Sequence, residues 1–268
     1  MNQPQPILEV RNIVNRFGSQ TVHDGLNLQV QRGEILGIIG GSGSGKSVLL
    51  RTMTGIRRPT SGMALINGKP VDDLPVRERA ATLGVLFQQG ALFSGLSVLE
   101  NIMVPLREFT QMDEEACRDI ARLKLRLVGL PDIAGDKRPA DLSGGMIKRA
   151  GLARSMAMDP SVLFLDEPTA GLDPLSASEF DALVRELNSS LGLTFVMITH
   201  DLDTLFGTCQ RAAVLVDRKM VAGTLPELME NRHPWIHAYF HGERTRAAIA
   251  SEQSHTATEK SKPRKEIQ

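Results

Sequence analysis

"EILGIIGGSGSGKSVLL", residues 34–50, decides the fold of this chain. A short apolar run leads into a stretch of glycines and serines, and the helix-like run "VLLRTMTGI" follows. Strand, glycine-rich turn and helix in that order form a phosphate-binding loop. The glycines let backbone N–H groups wrap an anion, and the start of the next helix favours negative charge. Gly40, Gly41, Ser42, Gly43, Ser44, Gly45, Lys46 and Ser47 fill the pattern G-x-x-x-x-G-K-S. Lys46 then reaches the β- and γ-phosphates of a nucleotide, and the Ser47 hydroxyl ligates Mg2+.

Outward from the loop, similar apolar runs recur: "ILEVRNIV", "LGVLFQ", "SVLFLDE", "LTFVMITH" and "AAVLVD". Several are continuous rather than alternating, as parallel strands covered on both faces require. Helix-like stretches separate the later ones, so the expected class is a layered α/β fold. The turn "INGKP" marks a hairpin in the first 70 residues, and residues from about 90 to 160 read as a helical insertion.

Ligands of open α/β sheets lie at the carboxyl ends of the strands, and polar residues collect there. "SVLFLDEP" ends in Asp166, suited to a Mg2+-associated acid, and Glu167, suited to polarising a water as general base. Two solvated acids at a strand end are the plainer alternative. His200 closes "LTFVMITH", either structurally or as a γ-phosphate contact; Gln88 closes "LGVLFQ", where an amide meets the metal or the water.

"DLSGGMIKRA", residues 141–150, opens a second helix with Ser143 as N-cap and Gly144 and Gly145 in its first turn. It reads as an ordinary capped helix or as another anion site. Met146 cannot complete a capping box, and it starts the stripe Met146, Ala150, Ala153, Ala157. His233, His237 and His241 recur at four-residue spacing on a helix opened by Pro234. They form a metal site or the polar rim of a docking helix whose apolar stripe holds Trp235, Ile236, Tyr239 and Phe240.

Composition excludes several classes. Lys+Arg and Asp+Glu are both 31 in 268 residues, which argues against nucleic acid as the main partner. Aromatics are 4% of the chain, too few for a base-stacking platform. Cys117 and Cys209 stand alone and read as reduced thiols. No signal peptide or apolar run of spanning length is seen, so any membrane crossing belongs to another chain.

Together the motifs resemble the ATP-binding cassette (ABC) ATPases over residues 7–242: "GGSGSGKS", Gln88, "LSGGM", "VLFLDE", "AGLD" and His200, in the family's order. The resemblance implies a RecA-like P-loop core, an antiparallel β-subdomain and an α-helical subdomain. It implies a homodimer in which one copy's P-loop and the other's Ser143, Gly144 and Gly145 enclose ATP and Mg2+. Phe17 matches the aromatic that stacks on adenine, and Asp173 the residue that crosses the dimer. "FQQGALFSGLSVLENIMVPLRE", "DEPTAGLDPLSA" and "HPWIHAYFHGERTRAA" are similar to the Mla-type ATPases of phospholipid trafficking between Gram-negative membranes. That branch implies a permease dimer, an MCE-domain lipid-binding protein, a STAS-domain protein and a place on the cytoplasmic side of the inner membrane. The segment after Gln88 would meet the permease, and the helix around Trp235 would pack on the partner ATPase. Residues 243–268 are expected to be a largely disordered extension. The rivals are an ABC ATPase for another cargo, a soluble ABC protein acting on nucleic acid, and a non-hydrolysing nucleotide binder.

Overall fold

A computed structural model describes residues 5–242; the proposed extension at 243–268 lies outside the described residues. Two sheets share the chain. Strands β1 (Leu8–Phe17), β2 (Gln20–Val30), β4 (Ser61–Ile66) and β5 (Lys69–Pro70) form an antiparallel sheet in the order β2-β1-β4-β5. Strands β3 (Ile35–Gly40), β6 (Leu83–Leu86), β7 (Val162–Asp166), β8 (Thr194–Ile198), β9 (Arg211–Val216) and β10 (Lys219–Thr224) form the second, ordered β10-β9-β3-β8-β7-β6. Its neighbours run parallel except β9 and β10.

The apolar runs of the second sheet follow from its two cores. Along β7, Val162 and Phe164 face the core shared with β1, β2 and β4, together with Leu36, Ile38 and Leu49. The intervening Leu163 and Leu165 face a second core with Ile102, Leu125, Ala153 and Phe180. A strand covered on both sides has no position left for a polar residue until it ends.

Helix α1 (Lys46–Met53) follows β3 and α2 (Val76–Thr82) leads into β6; between β6 and β7 the chain runs through α3 (Val98–Phe109), α4 (Glu114–Leu127) and α5 (Gly144–Ser155). Ser97 and Glu100 close a reciprocal capping box on α3, and Asp113 caps α4. Leucines and alanines at helical spacing bury Ile102, Leu106, Ala121, Leu125, Ala150 and Ala153 between the three helices. The stripe from Met146 lies as its spacing implied: Ala150, Ala153 and Ala157 are buried and Met146 packs partly against the same core.

The "INGKP" hairpin joins β4 and β5, with Asn67 and Gly68 both at positive φ (49° and 78°), as a tight two-residue turn requires. After β7 come α6 (Pro174–Leu191), α7 (Leu202–Thr208) and, past β10, α8 (Leu225–Met229) and α9 (Pro234–His241). Ile236 and Phe240 of α9 are buried in the chain's own core. Among the described residues, Cys117 and Cys209 are free and buried, and no helix is long and apolar enough to cross a membrane.

Candidate nucleotide site

The parallel order places the ends of β3, β7 and β8 side by side, so the motifs that follow them converge. Gly41–Gly45 leaves β3 and passes directly into α1 (Lys46–Met53). Gly45 is the N-cap of that helix at φ 101° and carries no capping side chain. The helix start therefore keeps its N–H groups for an external anion. Lys46 Nζ donates to the carbonyls of Gly40 at 2.8 Å and Gly41 at 3.0 Å. Burial pushes its pKa down, while Glu167 and Asp166 pull it back up. The Ser47 side of the loop is exposed.

The two strand-end acids stand in different surroundings. Burial raises the Asp166 carboxyl and Glu167 raises it further, against Arg51, Lys46 and Lys148. Glu167 leaves the strand in the left-handed region at φ 47°, a strained conformation for a residue with a Cβ. Its N–H is held by the carbonyl of Ile198 at 2.9 Å. Its Oε2 accepts from Gln88 Nε2 at 2.7 Å, and its Oε1 lies 3.3 Å from His200 Nδ1. Gln88, Glu167 and His200 thus form one connected group, in which the His200 side chain is 68% exposed and that of Glu167 23%. Glu167, His200 and the adjoining Thr169, Ala170, Gly171, Leu172, Thr199 and Asp201 line a cavity of about 200 Å3.

Lys148 was not legible as a site residue. It lies on α5 at 5% exposure, and its Nζ donates to the carbonyl oxygens of Gln88 and, at 3.2 Å, Glu167. A single ammonium therefore joins α5, the segment after β6 and the end of β7. Burial lowers its pKa, opposed by Glu167 and Asp166. Only its place one helical turn after the N-cap, beside Arg149, hinted at anything beyond a surface lysine. Arg154, a further 6 residues along, donates to Ala91 at 2.7 Å and Gly90 at 3.2 Å, pinning the same segment.

The remaining sequence candidates sit apart from this group. Ser143 caps α5, accepting from Met146 N–H at 3.3 Å, and Gly144 is exposed at the helix start with Gly145 half-buried behind it. Asp173 caps α6, accepting from the N–H groups of Leu175 and Ser176 and from the Ser176 hydroxyl at 2.6 Å. Those bonds hold its pKa below the usual carboxylate range. Phe17 ends β1 at 43% exposure, and the Arg57 guanidinium lies 3.9 Å from its ring centroid.

The histidine triplet divides. His233 caps α9 through Trp235 N–H and pairs with Asp217 at 2.9 Å. His241 Nε2 lies 2.9 Å from the carbonyl oxygen of Met229, and the rings of His237 and His241 are 4.2 Å apart. Among the described residues no group of three metal-binding side chains forms. Trp235 lines a cavity of about 330 Å3 with Gly41, Gly43 and Ser44 of the phosphate loop and with Asp217. The apolar stripe of α9 accordingly packs on its own chain.

The sequence profile of the ABC transporter family matches residues 23–170. The chain is similar to MlaF, the intermembrane phospholipid transport system ATP-binding protein of Haemophilus influenzae. The two are 37% identical over 243 residues, 89% of this chain and 92% of the relative. It is 35% identical over 257 residues to the probable ribonucleotide transport ATP-binding protein mkl of Mycobacterium leprae, covering 94% of this chain and 73% of that one. A dimeric ATP-binding cassette solved after hydrolysis with ADP and Pi superposes with a TM-score of 0.74 at 29% identity. That match covers 81% of this chain and 98% of the other.

Proposed function

The chain belongs to the ABC transporter family, and from that premise we propose that this ATPase powers phospholipid movement through a partner permease. The observation that carries the catalytic part is the single connected group of Gln88, Glu167 and His200 beside the phosphate loop. Support for the cargo comes from the name of the MlaF relative and from the sequence similarity to Mla-type ATPases over the residues after Gln88.

In this reading Gly40 to Ser47 hold the phosphates through backbone N–H groups, and Lys46 exchanges its loop carbonyls for phosphate oxygens. The donor set suits Mg2+, a hard cation that takes oxygen ligands. Ser47 offers an exposed hydroxyl and Asp166 a carboxylate. Gln88, whose amide nitrogen is already given to Glu167, keeps its Oε1 for the ion or a water. The metal supplies charge neutralisation on the phosphates when bound. Glu167 accepts the proton of the attacking water, and His200 steadies the γ-phosphate. Phe17 stacks on the adenine, backed by Arg57 on its other face.

Ser143, Gly144 and Gly145 stand at an open helix start and act on the nucleotide of a second copy, with Asp173 at the boundary between copies. Two MgATP then close the dimer, and hydrolysis reopens it. The segment after Gln88 transmits that movement to an integral permease dimer at the cytoplasmic side of the inner membrane. An MCE-domain lipid-binding protein and a STAS-domain protein complete the assembly. The cassette spans residues 7–242, with the helices from about 90 to 160 as its helical subdomain.

Glu167→Gln tests the catalytic core. It is expected to bind MgATP, abolish phosphate release and accumulate as a closed dimer in size-exclusion chromatography. Wild-type turnover by this variant removes Glu167 from the base role. Lipid analysis of the complex purified with its permease tests the cargo: co-purified phospholipid supports it, and stimulation by a ribonucleotide with no lipid bound refutes it.

A further inference from the structure

Under the phosphate loop lies a buried polar relay to which the reading above gives no part. His23 on β2 pairs directly opposite Asn15 on β1, and both are 0% exposed. Thr52 on α1, at 1%, completes the group. The hydrogen-bond directions can be worked out in order. The Thr52 hydroxyl donates to the Val48 carbonyl at 2.9 Å, so its oxygen is left to accept. Asn15 Nδ2, which can only donate, lies 3.0 Å from Thr52 Oγ1 and 2.9 Å from His23 Nδ1. Its two hydrogens are thereby assigned, and His23 Nδ1 is an acceptor. In a neutral imidazole the proton then belongs to Nε2.

Nε2 faces the phosphate loop. A methyl group added at Gly45 would lie 2.5 Å from His23 Nε2 and 2.4 Å from Val22 Cγ1, closer than van der Waals contact allows. The imidazole edge is thus the floor on which Gly45 rests. Gly45 is the left-handed residue that turns the loop into α1, immediately before Lys46. Nε2 itself is buried with no hydrogen-bond partner among the described residues. Burial keeps the ring from ionising, with its pKa pushed down to about 4, against a smaller upward pull from the Gly45 backbone. One tautomer is therefore present throughout the neutral range.

We propose that His23 is a positioning residue for the phosphate-binding loop: Asn15 orients the buried ring, and the Nε2 edge packs under the Gly45 backbone so that the loop amides stay aimed at phosphate. The proposal rests on the reading of Gly40 to Ser47 as the ATP phosphate site. His23 does not touch the nucleotide; it acts through Gly45. Thr52 and Asn15 carry the same restraint back to the body of α1, so helix and loop move as one piece when phosphate binds.

Two variants of the full chain separate this role from simple packing. His23→Leu keeps an apolar body but leaves Asn15 Nδ2 without its acceptor, whereas His23→Gln returns an amide oxygen that can accept from Asn15 and a polar edge near the place of Nε2. His23→Leu is expected to raise KM for ATP about tenfold, the loss of the buried Asn15–His23 hydrogen bond that orients the ring under Gly45, with kcat within about threefold. His23→Gln is expected to recover most of that loss. Equal KM values for wild type and His23→Leu overturn the proposal, as does a loss that His23→Gln leaves uncorrected. If His23→Leu does not fold, side-chain 15N spectra of the wild-type chain decide. A protonated Nε2 that shifts on adding MgADP supports the brace, and a protonated Nδ1 or an unmoved resonance refutes it. Failure of the wild-type chain to bind ATP at all would instead count against the proposed function.

Discussion

Replacing Lys148 by methionine tests how the site is held together. Methionine keeps much of the unbranched side chain and removes the ammonium that reaches the carbonyls of Gln88 and Glu167. The Glu167 carbonyl retains one donor, the Ala170 N–H at 3.2 Å. The Gln88 carbonyl loses its charged donor, and hydrogen bonds to charged groups contribute about 1.5–3 kcal/mol. Part of this is offset, because an amine whose pKa is lowered by burial costs free energy to keep charged. The net expected loss is about 2 kcal/mol, or roughly 4–8 °C in Tm for a chain of this size. Hydrolysis suffers as well. Asp166 and Glu167 lose a neighbouring cation, and Gln88 loses the tie to α5 that holds its amide on Glu167. Phosphate release is expected to fall by at least about tenfold, equivalent to about 1.4 kcal/mol of barrier. Thermal unfolding and steady-state phosphate release, measured on the same preparation, supply both numbers. A Tm within a degree of wild type together with unchanged turnover would refute the argument.

Two other substitutions have signs that follow from the structure. Met146→Gln adds the side chain that α5 lacks and that Ser97/Glu100 and Thr224/Glu227 already show in their capping boxes; turnover is expected to stay within a few-fold, about 1 kcal/mol or less of barrier, and a collapse would mean Met146 has a role of its own. Asp181 is buried between α6 and α7, accepts from the Thr204 hydroxyl at 2.7 Å, and has its pKa raised to about 6, first by burial. A carboxyl raised in the folded state contributes stability that is fully present below its unfolded value near 4 and lost as pH rises through about 6. Asp181→Asn is therefore expected to raise Tm at pH 7.5, by about 2 kcal/mol of stability, and to leave it nearly unchanged at pH 4; a lower Tm at pH 7.5 refutes the burial argument.

How far the sequence could be read depended on what each residue faces. The runs that became β3, β7, β8 and β9 were visible because both faces of that sheet are covered, so apolar residues follow one another without a break. β2 was not among them. Its sequence "QTVHDGLNLQV" alternates only after Gly25, since the pairing with β1 shifts register between Val10 and Val14. β10, an edge strand whose side chains are mostly exposed or half-buried, gave no apolar run either. The site divides in the same way. Asp166, Glu167, Gln88 and His200 lie at or just past strand ends, where a change from apolar to polar marks them, and Lys46 is marked by the glycine-rich loop before it. Lys148 and His23 are polar residues inside otherwise ordinary elements, and only the contacts across elements show that they are buried. A lysine on a helix and a histidine between polar neighbours in a strand both look like surface residues in one dimension.

Several side chains proposed to act on phosphate are already satisfied within the chain, which constrains how nucleotide can work. Lys46 donates to two loop carbonyls. Glu167 receives the Gln88 amide on one oxygen and has His200 near the other. Ser143 accepts from its own helix. At these side chains nucleotide binding exchanges contacts more than it adds them, so their net contribution is smaller than a count of phosphate hydrogen bonds suggests. The exchange also supplies the coupling. Gln88 begins the segment that Lys148 and Arg154 pin to α5, and its amide is the donor held by Glu167. A displacement of that segment by a bound permease must therefore alter the hydrogen bonding of the proposed base. Conversely, a water or metal that draws Gln88 away from Glu167 loosens the segment. Under the proposed function, the 2.7 Å hydrogen bond from Gln88 to Glu167 is the link between transport and hydrolysis.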